Sequence, residues 1–316
     1  MKKLFFVLAI ASLITACNKD KQIDITYQLT ATIDAMEVVK NIKDIDNTDL
    51  FPNGTVSETE KVRITFFVYN KAGELVAEET KLVSSFNDKL TVNKSVKEGE
   101  YTVVSCADVV DAANLTTIET EYWQFDQKSS LTTCRAKFNA DIVWYTLVLG
   151  YAKQNVTINK AEAVTVSLKP AGSMVTLDFD YLNLSNIQTI KVGYNTWNDY
   201  LSLSDGVSNM LTLLNDGNVF SLTKDASYRN RVRSCYYLES NKLNIKWVGL
   251  NAAGVQVKSG TIPSTALTAG VNKSFNIDTN TGIVTTKSAS VNTVNGTKGE
   301  KSALAPENKG SKPKPQ

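Results

Sequence analysis

Apolar residues recur at every second position over much of this chain, and that period decides what it can fold into. From Ile23 to Asp34 the alternation is strict. Ile23, Ile25, Tyr27, Leu29, Ala31 and Ile33 fall on one side, and Asp24, Thr26, Gln28, Thr30, Thr32 and Asp34 on the other. Successive side chains of a strand point to opposite faces, so the pattern predicts a strand with one face buried. The period returns at Val62, Ile64, Phe66 and Val68, at Val175, Leu177, Phe179 and Tyr181, and at Leu243, Ile245 and Trp247. Shorter strand-like runs cover Leu75 to Val83, Leu90 to Val96, Tyr101 to Val109, Val164 to Leu168, Tyr228 to Leu238 and Ile283 to Thr286. Asp141 to Tyr151 suits a strand or a short helix. Asn70-Lys71-Ala72-Gly73, Asn251-Ala252-Ala253-Gly254 and Asn280-Thr281-Gly282 punctuate the runs. Asn opens such turns, and Gly accepts the positive φ at their end. Many short strands parted by turns of this kind predict an all-β fold of packed sheets.

A chain of 316 residues, 42% of them apolar, is long enough for two domains with cores of their own. Lys169-Pro170-Ala171-Gly172 is the expected boundary, because Pro and Gly interrupt a ladder. The reading is two tandem β-sandwich domains over 23–168 and 172–286. The segments Val68 to Val76 and Gly249 to Val257 share an Asn-x-Ala-Gly hairpin, which points to two copies of one sandwich. Residues 287–316 lack aromatics and periodicity and are rich in Lys, Ser, Asn, Gly and Pro, so they are expected to be a disordered tail with a basic bias.

The start of the chain is of another kind. Met1-Lys2-Lys3 is positive, Leu4 to Leu13 is apolar, and Ile14-Thr15-Ala16-Cys17 ends the run. An apolar stretch this short does not span a bilayer as a helix, which needs roughly 20 residues. Charge, apolar run and small residues in that order predict a signal peptide over 1–16. Ile14-Thr15-Ala16-Cys17 resembles the lipobox of bacterial lipoproteins, with Ile where that pattern prefers Leu. The resemblance implies a lipidated Cys17, a spacer over 17–22, and a body held at the outer membrane, on the cell surface. No second long apolar segment follows.

Composition excludes several classes of chemistry. The net charge of +2 gives no reason to expect a nucleic-acid partner. There is no His, which removes Ser-His-Asp and Cys-His nucleophile systems and imidazole metal sites. The chain reads as a non-enzyme without cofactor or metal. Besides Cys17 there are Cys106, Cys134 and Cys235, enough for one internal bridge. Spacing does not choose the pair. Cys106 and Cys134 share the first expected domain, which makes them the candidate disulfide and leaves Cys235 as a buried odd thiol.

Three stretches could bind something. Arg229, Arg231 and Arg233 sit at spacing two, so a strand would place all three on one face, where their forks suit carboxylate, sulfate or phosphate. Tyr194, Trp197 and Tyr200 bracket Asn195, Asn198 and Asp199, and rings beside amide and carboxylate groups are the ingredients of a sugar platform. Asp44, Asp46 and Asp49 gather oxygen ligands, but Thr48 and Asp49 break the calcium-loop pattern, so a polar loop is expected. Asp178 and Asp180 read as solvent-facing residues of one strand face.

The lipobox ending at Cys17, the strand and turn from Val62 to Gly73, the stretch Glu98-Gly99-Glu100-Tyr101-Thr102-Val103-Val104, and Val164 to Tyr181 together resemble the fimbrillin-type fimbrial subunit and anchor lipoproteins, the FimB/Mfa-like family. That resemblance implies two transthyretin-like sandwiches in tandem and a role in fimbriae or adhesion. It also implies subunits joined by strand donation, which is β-augmentation. The tail departs from this, since 287–316 lacks the alternating apolar residues of a donated strand. The leading reading is a surface lipoprotein that binds other fimbrial or surface proteins through a sheet edge. The second is a glycan-binding lipoprotein of a polysaccharide uptake system.

Overall fold

The computed structural model describes residues 25–43, 49–111, 123–138, 148–179, 186–194, 196–212, 220–223 and 232–287. The signal segment, Cys17 and the tail from 288 lie outside them. In chain order the first strands are β1 (Thr26–Asp34), β2 (Glu60–Asn70), β3 (Leu75–Val83), β4 (Leu90–Lys97) and β5 (Gly99–Asp111). Then come β6 (Trp123–Asp126), β7 (Arg135–Phe138), β8 (Leu149–Ile158), β9 (Glu162–Ser167) and β10 (Lys169–Pro170). The rest are β11 (Gly172–Phe179), β12 (Thr189–Tyr194), β13 (Thr196–Ser202), β14 (Ser208–Thr212), β15 (Phe220–Thr223) and β16 (Val232–Leu238). The chain closes with β17 (Ser240–Leu250), β18 (Gln256–Leu267), β19 (Lys273–Ile277) and β20 (Val284–Lys287). Helix among the described residues is confined to two single 3-10 turns, at Met36–Val38 and Pro52–Gly54. The fold is all-β.

The strands make one plan twice. In the first copy β4-β1-β9 faces β8-β5-β2-β3, with the short β10 added beside β8. In the second copy β16-β11-β19 faces β15-β12-β17-β18, with β20 added beside β19. Each copy opens on a strand held antiparallel on one side and parallel on the other: β1 between β4 and β9, and β11 between β16 and β19. The internal repetition is therefore real at the level of topology. Its sequence marker is not. Asn70-Lys71-Ala72-Gly73 joins β2 to β3, whereas Asn251-Ala252-Ala253-Gly254 joins β17 to β18, which correspond to β5 and β8 of the first copy. The two turns match because they solve the same local problem. In each, Asn Oδ1 accepts a backbone N–H four residues on at 2.9 Å, and Gly takes a φ near +80° (Gly73 +81°, Gly254 +76°).

Between the copies stands a further sheet. The hairpin β6–β7 belongs to the first half and β13–β14 to the second, and they pair side by side in the order β14-β13-β7-β6. The joint is Tyr200 to Ser202 against Lys137 to Arg135. This bridging sheet covers the outer face of β2 and β5. Half-buried strands were expected there, with Val62, Ile64, Phe66 and Val68 inward. In the structure Arg63, Thr65, Phe67 and Tyr69 are buried as well. Phe67 meets Phe125 of β6 edge-on, with ring centroids 5.8 Å apart. Burying a large aromatic side chain contributes roughly 1.5–3 kcal/mol, so this second face adds substantially to the first core. That core also takes in Met174, Leu201, Leu203, Tyr236 and Leu238 from the second half. A smaller core around Trp247, Phe179 and Ile190 fills the second sandwich.

Across Pro170 the chain is tied down on both sides. The Tyr236 hydroxyl donates to the Leu149 carbonyl at 3.1 Å and accepts the Gly172 N–H at 2.6 Å. Asn272 Nδ2 donates to the Lys43 carbonyl at 3.0 Å.

At the other edge of the first sandwich, Glu79 of β3 accepts from Lys81 and from Lys94 of β4, each at 2.8 Å. These bonds hold its carboxyl below the usual glutamate value of 4.5. A lowered carboxylate stabilises the fold above its unfolded value, and that contribution is lost as pH falls through the folded value. The stability difference between the native chain and Glu79→Gln should therefore shrink from about pH 7 to about pH 3, as read from urea midpoints.

Candidate functional site

Two surfaces stand out, one an edge and one a face. The edge is β9. It pairs in parallel with β1 from Leu29↔Glu162 to Asp34↔Ser167, and no described strand lies on its other side. Val166 is buried and Val164 packs on the first core, while Ala163, Thr165 and Ser167 are exposed. Open edges are normally blunted by Lys, Pro or bulges. β4 carries Lys94 and Lys97, and β18 contains Pro263 and breaks in register at three places. β9, with Glu162-Ala163-Val164-Thr165-Val166-Ser167, has none of these.

The second copy shows what such an edge takes. There the equivalent strand, β19, is flanked by β20 in an antiparallel pair from Ser274↔Lys287 to Ile277↔Val284. The turn between them is closed by Asp278, whose Oδ1 accepts the N–H of Asn280 at 2.9 Å and of Thr281 at 3.2 Å. Hydrogen bonds from the Thr281 hydroxyl and from these two amides hold the Asp278 carboxyl below the usual aspartate range. Gly282 completes the turn at φ +78°.

The face is the outer side of the bridging sheet. Phe125, Ala136 and Leu201 point inward to the first core. The alternate residues form two rungs, Gln124–Lys137–Tyr200–Asn209 and Asp126–Arg135–Ser202. The Arg135 guanidinium lies 4.9 Å from the centroid of the Tyr200 ring, and its Nε donates to Asp126 Oδ1 at 2.6 Å. A register shift between Asn198 and Tyr200 bulges β13 there. At the β13–β14 turn, Asp205 accepts the Val207 N–H at 3.0 Å, which holds its carboxyl below the usual range.

Of the residues expected in a sugar platform, Tyr194 ends β12, and Trp197 and Tyr200 lie on the strand β13. The bulge breaks the period-two pattern, which is why the strand was not visible. Among these three, only Tyr200 has a described side chain. Arg233 lies in β16 opposite Leu177, and Arg229 and Arg231 fall outside the described residues. Asp49 pairs with Lys43 at 2.6 Å, Asp178 sits half-buried on β11, and Asp44, Asp46 and Asp180 are outside the described residues.

Cys106 and Cys134, expected as a bridge, are both buried and both free thiols here. Burial pushes each thiol above its ordinary value. Cys235 lies in β16, and its side chain is not among those described. Reading the sequence missed Arg135, Asp126, Gln124 and Lys137. The scarcity of Arg was the available signal, because two of only five, Arg63 and Arg135, make cross-strand ion pairs.

No protein-family model matches the chain, and no curated protein matches it in sequence. Similar solved structures include a candidate polysaccharide-binding protein from Bacteroides thetaiotaomicron, at 13% identity and TM-score 0.48 over 80% of this chain and 91% of that one. A candidate adhesin from Bacteroides ovatus is 14% identical, with TM-score 0.49 over 75% of this chain and 82% of that one. The fimbrial anchor protein Mfa2 from Porphyromonas gingivalis is 9% identical, with TM-score 0.46 over 80% and 91%.

Proposed function

We propose that this chain is a non-enzymatic adhesion or fimbrial subunit that joins other surface proteins by adding a strand to its β9 edge. The observation that supports the reading is the mismatch between the two copies. The second seats β20 on the strand that corresponds to β9, and the first leaves β9 unaccompanied among the described residues. Main-chain bonds along such an edge supply affinity, and side chains at alternate positions supply choice of partner. Ala163 and Thr165 are exposed and share one side of β9, so Ala163→Lys with Thr165→Lys should blunt the edge and shift stability by no more than about 0.5 kcal/mol. Binding of a purified surface-protein partner should slow amide exchange over 162–167 in the native chain and not in the double variant. Unchanged exchange at 162–167 in a complex that still forms would remove β9 from the interface.

Anchoring belongs to the same reading. Cys17 carries the acyl chains that hold the body at the outer membrane, and several chains anchor where one is marginal. Cys17→Ala is expected to lose labelled palmitate and to leave the membrane fraction, and retention of both would overturn the anchor.

A further inference from the structure

The outer face of the bridging sheet has no part in strand addition at β9, and it is built differently from an ordinary solvated sheet face. Tyr200, the one aromatic of this face among the described side chains, is clamped: Arg135 lies on the ring, and Asp126 fixes Arg135 from the next strand. On either side of the ring, in the same rung, are Lys137 and then Gln124 in one direction and Asn209 in the other. Amides both donate and accept, and a half-exposed ring offers apolar surface, so the row presents the mixture that a hydroxylated ring presents in return. Neighbouring strands lie about 4.8 Å apart, so the four residues span about 14 Å, enough for a short oligosaccharide lying across the strands. The bulge in β13 falls at Tyr200, and bulges serve to re-aim a side chain.

Charge selects among sugars. The face carries Arg135 and Lys137 against Asp126, and Asp126 is already engaged by Arg135. Asp205 lies beyond, on the turn, with Lys153 beside it. Among the described side chains of this face the remaining exposed charge is the Lys137 ammonium, which suits a carboxylate.

We propose that this face binds an acidic oligosaccharide, with Tyr200 and Arg135 as the apolar platform, Gln124 and Asn209 meeting hydroxyls, and Lys137 meeting a uronate. The face is composite. Gln124, Asp126, Arg135 and Lys137 come from the first half of the chain and Tyr200, Ser202 and Asn209 from the second, so it exists only while the two hairpins are paired.

The test is affinity electrophoresis of the full chain in gels cast with polygalacturonate, dextran or poly-glutamate. The native chain should be retarded by polygalacturonate and pass the other two unhindered. Tyr200→Ala and Lys137→Glu should each weaken that retardation about tenfold, equivalent to about 1.4 kcal/mol. Lys137 is exposed, so its variant keeps the fold and reports on binding even if Tyr200→Ala disturbs the sheet. Equal retardation by poly-glutamate would reassign the face to acidic peptides, and retardation by dextran alone would overturn the role of Lys137. An unretarded native chain, or an unaffected Lys137→Glu, would overturn the proposal. The Ala163→Lys/Thr165→Lys variant should bind polygalacturonate normally, which keeps failure here distinct from failure of the β9 edge.

Discussion

Replacing Asp108 by Ala is expected to lower the unfolding free energy by about 3–5 kcal/mol, the usual result of leaving a buried charge without its partner. Arg63 and Asp108 face one another directly in the β2–β5 ladder. Nε donates to Oδ1 at 2.9 Å and Nη2 to Oδ2 at 2.6 Å, with the side chains 7% and 0% exposed. Nη2 also donates to the Trp123 carbonyl, and the guanidinium stands 5.0 Å from the Phe125 ring centroid. The pair therefore ties β6 of the bridging sheet to the sheet beneath it. Removing the carboxylate strands the cation and loosens the cover together. Thermal and urea unfolding measure the loss. A change below about 1 kcal/mol would mean that the cation reaches water and that the bridging sheet does not seal it in.

Trp247→Ala should cost a similar amount, about 3–5 kcal/mol, from a different cause. Trp247 is fully buried at the centre of the second core, with its ring 6.0 Å from that of Phe179 and steeply inclined to it at 72°. Its indole fills the space beside Gly260 on β18, where an added Cβ would come within 2.4 Å of the indole nitrogen. Truncation to Ala opens a cavity that the surrounding strands cannot close. The Asp108 site lies in the first copy and Trp247 in the second, and the bridging sheet couples them. Each variant should therefore unfold in one transition at a lowered midpoint. Two separate transitions would show that the three-residue joint between β7 and β13 is too weak to make the halves cooperative.

How far the chain could be read ahead of its structure depended on what each strand has on its two sides. β1 was legible because only one of its faces is buried, and the alternation from Ile23 to Asp34 says so directly. β2 was legible as a strand and misjudged as half-buried. Phe67 and Tyr69 on its supposed outer face were the sign that something covers it, since a solvated face does not carry two neighbouring aromatics. The cover itself could not be seen. A strand was legible at Glu121 to Asp126, where β6 lies, but β7 is four residues long and β13 is broken by its bulge, so neither of those shows a period long enough to register. The partners of Tyr200 come from another part of the chain, and no spacing rule reaches from Tyr200 to Arg135. The Asn-x-Ala-Gly turn shared by the two halves falls at different places in the two copies, so it does not mark the repetition. Asn and Gly suit any tight hairpin, which is why the two turns look alike.

One consequence of the parallel pairing of β1 with β9 is mechanical. The chain enters at the start of β1 and leaves the first sandwich beyond the end of β9, through the two residues of β10. A pull between the two ends of the chain therefore drags these neighbours lengthwise in opposite directions. The six residue pairs from Leu29↔Glu162 to Asp34↔Ser167 are loaded together in shear, where an antiparallel hairpin pulled at its open end would unzip rung by rung. β11 and β19 repeat the parallel pairing with five pairs, but there the chain leaves through β20, an antiparallel neighbour of β19 that a pull would unzip first. The shear clamp thus belongs to the first copy, while the second meets the same pull with a hairpin that gives way rung by rung.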